Sequence, residues 1–476
     1  MEDNIKKILR IFVAVAVGML LFFGIQKIVI PRFSSTEIVD GFYQEEKDSI
    51  DVLFVGSSNM FCTIDPVTLY EEEGIASYDF GSSLQSLNLS LLYIKEALKY
   101  QTPKVIGLEV LTSSNDYYQQ LKEEAMRWGF TNLRFSVEKC STLYDELGKI
   151  DFEYLSYIFP FFRYKDRWKE LNADDIEYLR SDKQNYNKGF YYTNEVSEKP
   201  VNHTVYTRET EFTLAESNSR ILKEIASLCQ EHGIQLFFFK SPTAKTWTKT
   251  MSQAIRGLAD SIDVPFLEMN DFMEEMEIQY DTDFRDESHL NYKGAKKASS
   301  YMAAYLKENY EIPDRRGSDN SWDEALQRRQ NQIKKEEIQE TEAMEEYFQL
   351  LQDCPFLCVI TSNGLSEEPE GIIDGLPGLS WEKVSQGGCW ILSDGEVEQE
   401  FSGDSYSYHE DLGEVTLTVS SAVKAEGQQE KRVLLRKNNY FNISRGIHVL
   451  IYDLESQEVV DSIGFDADQE WKGIRA

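Results

Sequence analysis

Short apolar runs alternate with longer segments of helical periodicity between residues 52 and 267. The runs have the length of buried strands, whereas residues 88–100 and 218–232 repeat apolar side chains at helical spacing. Strands that alternate with helices pair in parallel, so this pattern predicts an α/β fold in which helices cover both faces of a parallel sheet. The predicted strands are residues 52–55, 76–80, 104–110, 234–240 and 265–267.

The amino-terminal segment is continuously apolar rather than periodic. Residues 11–30 are interrupted only by Gln26 and Lys27, and twenty helical residues span the roughly 30 Å hydrocarbon core of a bilayer. Three basic residues precede the segment: Lys6, Lys7 and Arg10. Because basic residues remain on the cytoplasmic side, we predict a single-pass signal anchor that contacts the bilayer through residues 11–30 and leaves the following chain extracytoplasmic. The alternative, a cleaved signal peptide, lacks small residues after the apolar run.

An aromatic-rich insertion at residues 113–214 interrupts the α/β pattern. It includes the stretch FEYLSYIFPFFRYKDRWKEL at residues 152–171. A private core is the favoured interpretation of so many aromatic side chains, and a lid or a membrane-facing patch is the alternative.

A polar segment of mixed charge separates the α/β pattern from a carboxyl-terminal pattern of short alternating strands. Residues 313–353 have helical propensity and predict a charged, solvated linker helix. The predicted organisation is therefore a tail and anchor at 1–35, an α/β domain at 36–312, this linker, and a β-rich domain at 354–476. Alternating short strands in the last domain are expected at residues 414–421, 431–436, 447–454 and 458–465.

Charge and cysteine content narrow the possible partners. The chain has 82 acidic and 49 basic residues, a formal net charge of −33, which would repel a phosphate backbone and argues against nucleic acid. Cys354 and Cys358 form the only close cysteine pair among six cysteines, and one such pair is a weak metal signal. We expect neither a metal nor a cofactor. Disulfide pairing does not follow from the spacing.

Candidate chemistry lies at two distant motifs. The first strand ends in Gly56-Ser57-Ser58, and a much later segment reads DFRDESHLNYKG, in which Asp286 precedes His289 by three residues. Gly-Ser-Ser alone is also typical of an ordinary turn. A serine nucleophile, however, needs a base, and the base needs a group that fixes its tautomer. Ser58, His289 and Asp286 together therefore form a candidate triad.

These motifs resemble the SGNH (GDSL-like) hydrolase superfamily over about residues 45–310. The closest resemblance is to its membrane-anchored, extracytoplasmic branch, which works beside membrane-bound O-acyltransferases and includes the D-alanine-transfer protein of lipoteichoic acid synthesis. The resemblance implies an SGNH-like, flavodoxin-like three-layer fold. It also implies that Ser58 is the nucleophile, and that Gly81, after the second strand, belongs to the oxyanion hole.

The chain departs from that family after its third strand. The family's Gly-x-Asn block, whose asparagine helps to hold the oxyanion, is absent from KVIGLEVLTSSND. The oxyanion would then be held by backbone N–H groups of Ser58 and Gly81, with Gln85 and Asn115 as candidate side-chain donors. Loss of one such donor typically costs about 10²- to 10³-fold in rate.

The expected function is that of a serine acyl-esterase or O-acyltransferase of the cell envelope, acting on a surface polysaccharide or teichoic acid through an acyl-enzyme. The alternative is a non-catalytic accessory protein that docks a membrane-bound O-acyltransferase or binds a surface glycan. The intact Ser58, Asp286 and His289 favour catalysis, whereas the absent Gly-x-Asn block favours the accessory function.

The carboxyl-terminal stretch RGIHVLIYDLESQEVVDSIGFD faintly resembles the interleukin-like EMT inducer domain, a small β-rich module. That resemblance implies sugar binding. A spacer or docking domain without a ligand is the equally weighted alternative.

Overall fold

The structure is a computed structural model that describes residues 2–114, 122–181, 183–198, 206–208, 210–318, 320–363, 365, 376, 378–403, 405–423, 429–441, 443 and 445–475. The chain divides into two compact units, Met1–Leu326 and Gln327–Ala476. The division lies inside the segment for which the sequence predicts a linker helix.

A five-stranded parallel sheet forms the centre of the first unit. Its spatial order is β2-β1-β3-β4-β5, the order of flavodoxin-like doubly wound sheets. The strands are β1 (Val52–Gly56), β2 (Ser77–Gly81), β3 (Val105–Glu109), β4 (Gln235–Lys240) and β5 (Phe266–Glu268). Each coincides with one of the five predicted apolar runs, so the predicted parallel α/β architecture is confirmed. Because chain order reverses beside β1, the carboxyl ends of β1 and β3 border the crevice where such sheets bind ligands.

Two glycines allow close contact at the carboxyl end of β1. Gly56 pairs with Gly81 in the parallel ladder. A Cβ atom on Gly81 would lie 2.3 Å from the carbonyl oxygen of Gly56, and one on Gly56 would lie 2.7 Å from Cβ of Glu109. Larger residues would force the strands apart where the chain leaves β1 for Ser58.

Helices flank this sheet, with α5 packed against α11 and α4 against α13. Side-chain caps define several of their starts: Asp65 accepts from the N–H of Val67 at α4, and Ser86 from that of Leu89 at α5. The helices are α1 (Glu2–Val29), α2 (Ser34–Phe42), α3 (Ser58–Phe61), α4 (Pro66–Glu73), α5 (Leu87–Ala97), α6 (Lys122–Phe130), α7 (Val137–Leu147), α8 (Phe152–Ile158), α9 (Phe161–Tyr164), α10 (Ala173–Arg180), α11 (Glu216–Glu231), α12 (Lys249–Ser261) and α13 (Tyr292–Asn309).

Helix α1 contains the predicted apolar segment. Over Ile5–Val29 it is long and apolar enough to cross a membrane. Its apolar side chains, among them Phe12 and Leu20, are exposed. Exposed apolar side chains along a whole helix are typical of a lipid-facing segment.

The insertion folds as helices α6–α10 and contains buried aromatic residues. Phe130, Tyr154 and Tyr157 are buried, as expected for a private core. Other aromatic residues of the same segment, Phe152 and Trp168, are exposed, as expected for the alternative. The described part of the insertion therefore has features of both interpretations.

Helix α14 (Asn320–Glu340) crosses the division between the units. In the first unit, Trp322 is fully buried, and Lys188 Nζ lies 4.1 Å from its ring centroid. In the second unit, Ile338 of α14 and Tyr347 of α15 (Met344–Leu350) are fully buried. Helix α14 lies within the segment 313–353, and its residues Trp322 and Ile338 are buried rather than exposed to solvent.

The second unit is built from two antiparallel sheets with orders β15-β14-β13-β6-β7-β8 and β12-β11-β10-β9. Leu417 and Val433 of the smaller sheet share a core with Val359 and Ile391 of the larger one. The opposite face of the larger sheet packs on α15 and α16 (Trp381–Gln386). The strands are β6 (Leu357–Ser362), β7 (Gly388–Ser393), β8 (Glu396–Ser402), β9 (Tyr406–Asp411), β10 (Thr416–Val423), β11 (Gln429–Leu435), β12 (Asn438–Asn439), β13 (Gly446–Asp453), β14 (Glu458–Asp466) and β15 (Lys472–Arg475). The predicted β-rich carboxyl-terminal part is confirmed.

Candidate active site

Ser58 stands at the carboxyl end of the central strand. Strand β1 ends at Gly56, Ser57 adopts an extended conformation, and Ser58 opens the short helix α3. Its side chain is half-buried, whereas its neighbours Ser57 and Asn59 are buried. Ser58 is therefore accessible at the sheet edge where an α/β fold places its ligands.

His289 and Asp286 complete a hydrogen-bonded chain with Ser58. Ser58 Oγ lies 2.8 Å from His289 Nε2, and His289 Nδ1 lies 2.9 Å from Asp286 Oδ2. The two motifs, 231 positions apart along the chain, meet because the loop before α13 returns to the end of β1. This is the nucleophile, base and orienting-acid arrangement of serine hydrolases.

The Asp286–His289 turn is held by its own backbone. Asp286 Oδ1 accepts hydrogen bonds from the N–H groups of Ser288, at 2.7 Å, and of His289, at 3.0 Å. Burial opposes ionisation of Asp286, but the hydrogen bond and charge of His289, the Ser288 N–H and Arg285 together lower its pKa from 3.8 to about 2. Asp286 is therefore ionised at neutral pH.

This depressed pKa predicts a pH dependence of stability. A carboxylate whose folded pKa is lowered stabilises the fold above its ordinary pKa of 3.8, and the contribution disappears as pH falls through about 2. We expect the melting temperature of the full chain in detergent to exceed that of Asp286→Asn by a constant amount above pH 5, and this difference to shrink below pH 4. The exposed residue Asp281 supplies the control, because Asp281→Asn should change little at any pH. A difference that persists undiminished to the acid limit would contradict the assignment.

The candidate oxyanion donors differ in whether the structure leaves them available to a ligand. Ser58 opens a helix, so its N–H has no partner within that helix, and Gly81 lies beside Gly56 at the neighbouring strand end. Gln85, in contrast, is fully buried; its Oε1 accepts from Ser82 Oγ at 3.1 Å and its Nε2 donates to Ser90 Oγ at 3.2 Å. The side chain of Gln85 thus serves internal packing, which disfavours it as an oxyanion donor. Asn115 lies outside the described residues.

A buried ion pair beneath Ser58 was not anticipated from the sequence. Lys240, at the end of β4, and Glu109, at the end of β3, are completely buried, with Nζ and Oε1 3.1 Å apart. Lys240 Nζ also donates to Asn59 Oδ1 at 3.1 Å and to the carbonyl oxygen of Ser241 at 2.8 Å. Asn59 directly follows Ser58, so this charged pair anchors the turn that carries Ser58.

The returning end of the insertion borders the triad. The N–H of Tyr191 donates to the carbonyl oxygen of Phe61 in α3 at 2.8 Å. The Arg285 guanidinium lies 4.7 Å from the Tyr191 ring centroid, and Arg285 Nε lies 3.5 Å from Asp286 Oδ2. Tyr191 therefore contacts both halves of the site, and aromatic content of the insertion was the only sequence signal for it.

Metal binding has no support among the described residues, because none of their His, Cys, Asp and Glu side chains form a group of three or more that could hold an ion.

Comparison with known proteins does not assign the chain to a family. No family model matches it, and no curated protein does. Among solved structures, the Bacillus subtilis YkuI protein, with an EAL domain and in complex with c-di-GMP and calcium, aligns at 12% identity over 72% of this chain and 83% of its own. The TM-score is 0.11, which is too low to support a shared fold or function.

Proposed function

We propose that this protein is a membrane-anchored, extracytoplasmic serine acyl-esterase or O-acyltransferase of the SGNH type that acts on a cell-surface polysaccharide. The observation that carries the proposal is the continuous chain Ser58–His289–Asp286, with contacts of 2.8 Å and 2.9 Å. The resemblance of the Gly-Ser-Ser and Asp-x-x-His motifs to SGNH hydrolases, and the flavodoxin-like strand order, agree with it.

The proposed reaction begins with proton transfer from Ser58 Oγ to His289 Nε2 while the oxygen attacks an acyl carbonyl carbon. Backbone N–H groups of Ser58 and Gly81 would stabilise the negative oxygen that forms. The ester bond then breaks, the leaving alkoxide takes the proton from His289, and the acyl group remains on Ser58. Water or a sugar hydroxyl attacks this acyl-enzyme after giving its proton to His289, which returns that proton to Ser58.

The proposed location rests on α1 and its flanks. Lys6 and Lys7 precede the apolar segment, which favours a cytoplasmic amino terminus and an extracytoplasmic catalytic unit. A formal charge of −33 disfavours a polyanionic acceptor, so a neutral glycan is the acceptor that fits more easily. We expect Tyr191, which lies next to Arg285, to contact such an acceptor.

A non-catalytic accessory role is the second candidate. The specific observation in its favour is that Gln85 is hydrogen-bonded to Ser82 and Ser90, which disfavours it as a replacement for the asparagine of the absent Gly-x-Asn block. The protein would then dock a membrane-bound O-acyltransferase or bind a glycan through the same surface.

One assay separates these functions. We expect the full chain in detergent to react with a fluorophosphonate probe and to turn over an activated acetate ester, because its serine has a base in contact. Added surface oligosaccharides should yield acylated sugar, detected by mass spectrometry, since an oriented hydroxyl reaches effective molarities of about 10⁵ M or more. Free acid alone would establish the esterase, and neither labelling nor turnover would favour the accessory role. Ser58→Ala supplies the background.

A further inference from the structure

A cavity of about 760 Å³ lies beside the carboxyl end of α1. The apolar part of the lining includes Phe23 of α1, Ile30 just after this helix, and Phe159 of the insertion. The lining also includes cationic side chains, among them Arg32 and Arg134. The cavity is thus amphipathic and opens where the apolar helix ends.

The insertion is packed directly on this end of α1. The ring centroids of Phe22 and Phe161 lie 5.3 Å apart in an edge-to-face contact. Arg167 Nη1 donates to the carbonyl oxygens of Ile28 and Ile30, both at 3.4 Å, which have no further helical turn to bond them. Phe22 is seven residues before the end of α1, about 10 Å along the helix axis, so the insertion extends to the depth of a bilayer's boundary.

Exposed apolar side chains continue from α1 over the insertion. Phe152 and Trp168 are 64% and 63% exposed, and Phe135, at the cavity rim, is 71% exposed. Phe152 lies near Phe162, which in turn lies near Phe22 of α1. Exposed aromatic side chains beside an apolar helix are typical of the interfacial belt of membrane proteins.

Basic side chains outnumber acidic ones in the lining of the cavity. In the part of the chain that the structure describes, no carboxylate lies within ion-pair distance of Lys27, Arg32 or Arg134; Arg134 stacks on Tyr43 at 3.9 Å instead. The acidic residues in the lining are otherwise engaged: Asp175 pairs with Arg167 at 2.5 Å, and Asp40 accepts from Tyr178 at 2.8 Å. The lining includes five basic residues (Lys27, Arg32, Arg134, Lys139 and Lys183) and two acidic ones (Asp40 and Asp175). A net positive lining in a chain of net charge −33 favours an anionic ligand.

We propose that this cavity binds the phosphodiester headgroup of an anionic phospholipid from the leaflet in which α1 ends. Lys27, Arg32 and Arg134 would contact the phosphate, and the acyl chains would lie along α1 and the exposed aromatic residues of the insertion. The inference rests on the membrane-anchor part of the proposed function and not on the triad. A lipid held there would fix the height and tilt of the catalytic unit above the membrane.

The test is lipid binding by the full chain in a neutral detergent, followed by native mass spectrometry. We expect retention of dioleoyl phosphatidylglycerol over dioleoyl phosphatidylcholine, and the double variant Arg32→Gln/Arg134→Gln should bind phosphatidylglycerol about tenfold more weakly or worse, because each basic residue near an anionic headgroup contributes. The matched control is Arg220→Gln, which removes the same charge from an exposed site on α11 outside the cavity and should bind as the parent does.

Three results would overturn the proposal. They are equal retention of the two lipids, equal loss in the Arg220→Gln control, and displacement of the lipid by soluble glycerol phosphate, which would make the ligand a free phosphate. Lys27→Gln provides a variant that should fold normally, because Lys27 is exposed, and it should also weaken binding. Ester turnover is measured on the same samples. Lost lipid binding with retained turnover rejects only this inference, and lost turnover with retained lipid binding rejects only the catalytic one.

Discussion

Ser58→Ala is expected to abolish fluorophosphonate labelling and to lower ester turnover by at least about 10⁴-fold, because the remaining groups cannot supply a nucleophile. His289→Ala should have a similar effect, since Ser58 Oγ contacts His289 Nε2 at 2.8 Å and would lose its base. The melting temperature should fall by only a few degrees, because the Ser58 hydroxyl is half-buried and is not part of the core. Labelling, turnover and thermal unfolding of the full chain provide the measurements.

Two consecutive serines make a sharp control possible. Ser57 Oγ is buried and has no hydrogen-bond partner among the residues that the structure describes. Ser57→Ala therefore removes a hydroxyl of the same kind one residue away without touching His289. We expect Ser57→Ala to keep its labelling and most of its turnover. If labelling survived in Ser58→Ala and disappeared in Ser57→Ala, the nucleophile would be Ser57 rather than Ser58. A base other than His289 would then be required.

Much of the α/β fold could be predicted because its strands are buried on both faces. Every residue of β1 is buried, so the strand appears in the sequence as an unbroken apolar run. The triad was predictable for a different reason. Asp286 and His289 are three residues apart, and their contact is formed within one turn. Only the contact between His289 and Ser58 depends on the topology of the sheet.

Other features of the site depend on contacts between segments that are distant in the chain, and such contacts are hard to predict from the sequence. The polar character of Gln85 suggested an oxyanion donor, but whether its amide faced the site or Ser90 depended on packing. The pairing of Lys240 with Glu109 joins two strands through a register that the sequence does not specify. The only trace of this pair in the sequence is that each of the two apolar runs ends near a charged residue, Glu109 in one and Lys240 in the other. The action on a surface polysaccharide and the extracytoplasmic location remain predictions.

The buried pair of Lys240 and Glu109 leads to the largest expected effect on stability. Lys240→Met would leave the Glu109 carboxylate buried without its cation, and breaking such a pair typically costs about 3–5 kcal/mol in the free energy of unfolding. Adding Glu109→Gln removes the unpaired charge. It also keeps an acceptor for the N–H of Leu111, which in the parent donates to Glu109 Oε2 at 3.1 Å. The double variant should therefore be more stable than Lys240→Met alone by about 1–3 kcal/mol, as measured by denaturant unfolding.

Lys245 and Glu287 form an ion pair on the surface of the same unit, and they provide the matched control. Because both side chains are exposed, Lys245→Met should cost no more than about 1 kcal/mol. Equal costs for Lys240→Met and Lys245→Met would show that the buried pair is not coupled to folding. Activity adds a second readout: Lys240 also holds Asn59 at 3.1 Å, so the stability-restored double variant should still react more slowly with the fluorophosphonate probe than the parent does. Parent-like reactivity would limit the pair to a structural role and leave the position of Ser58 to the backbone of β1 and α3.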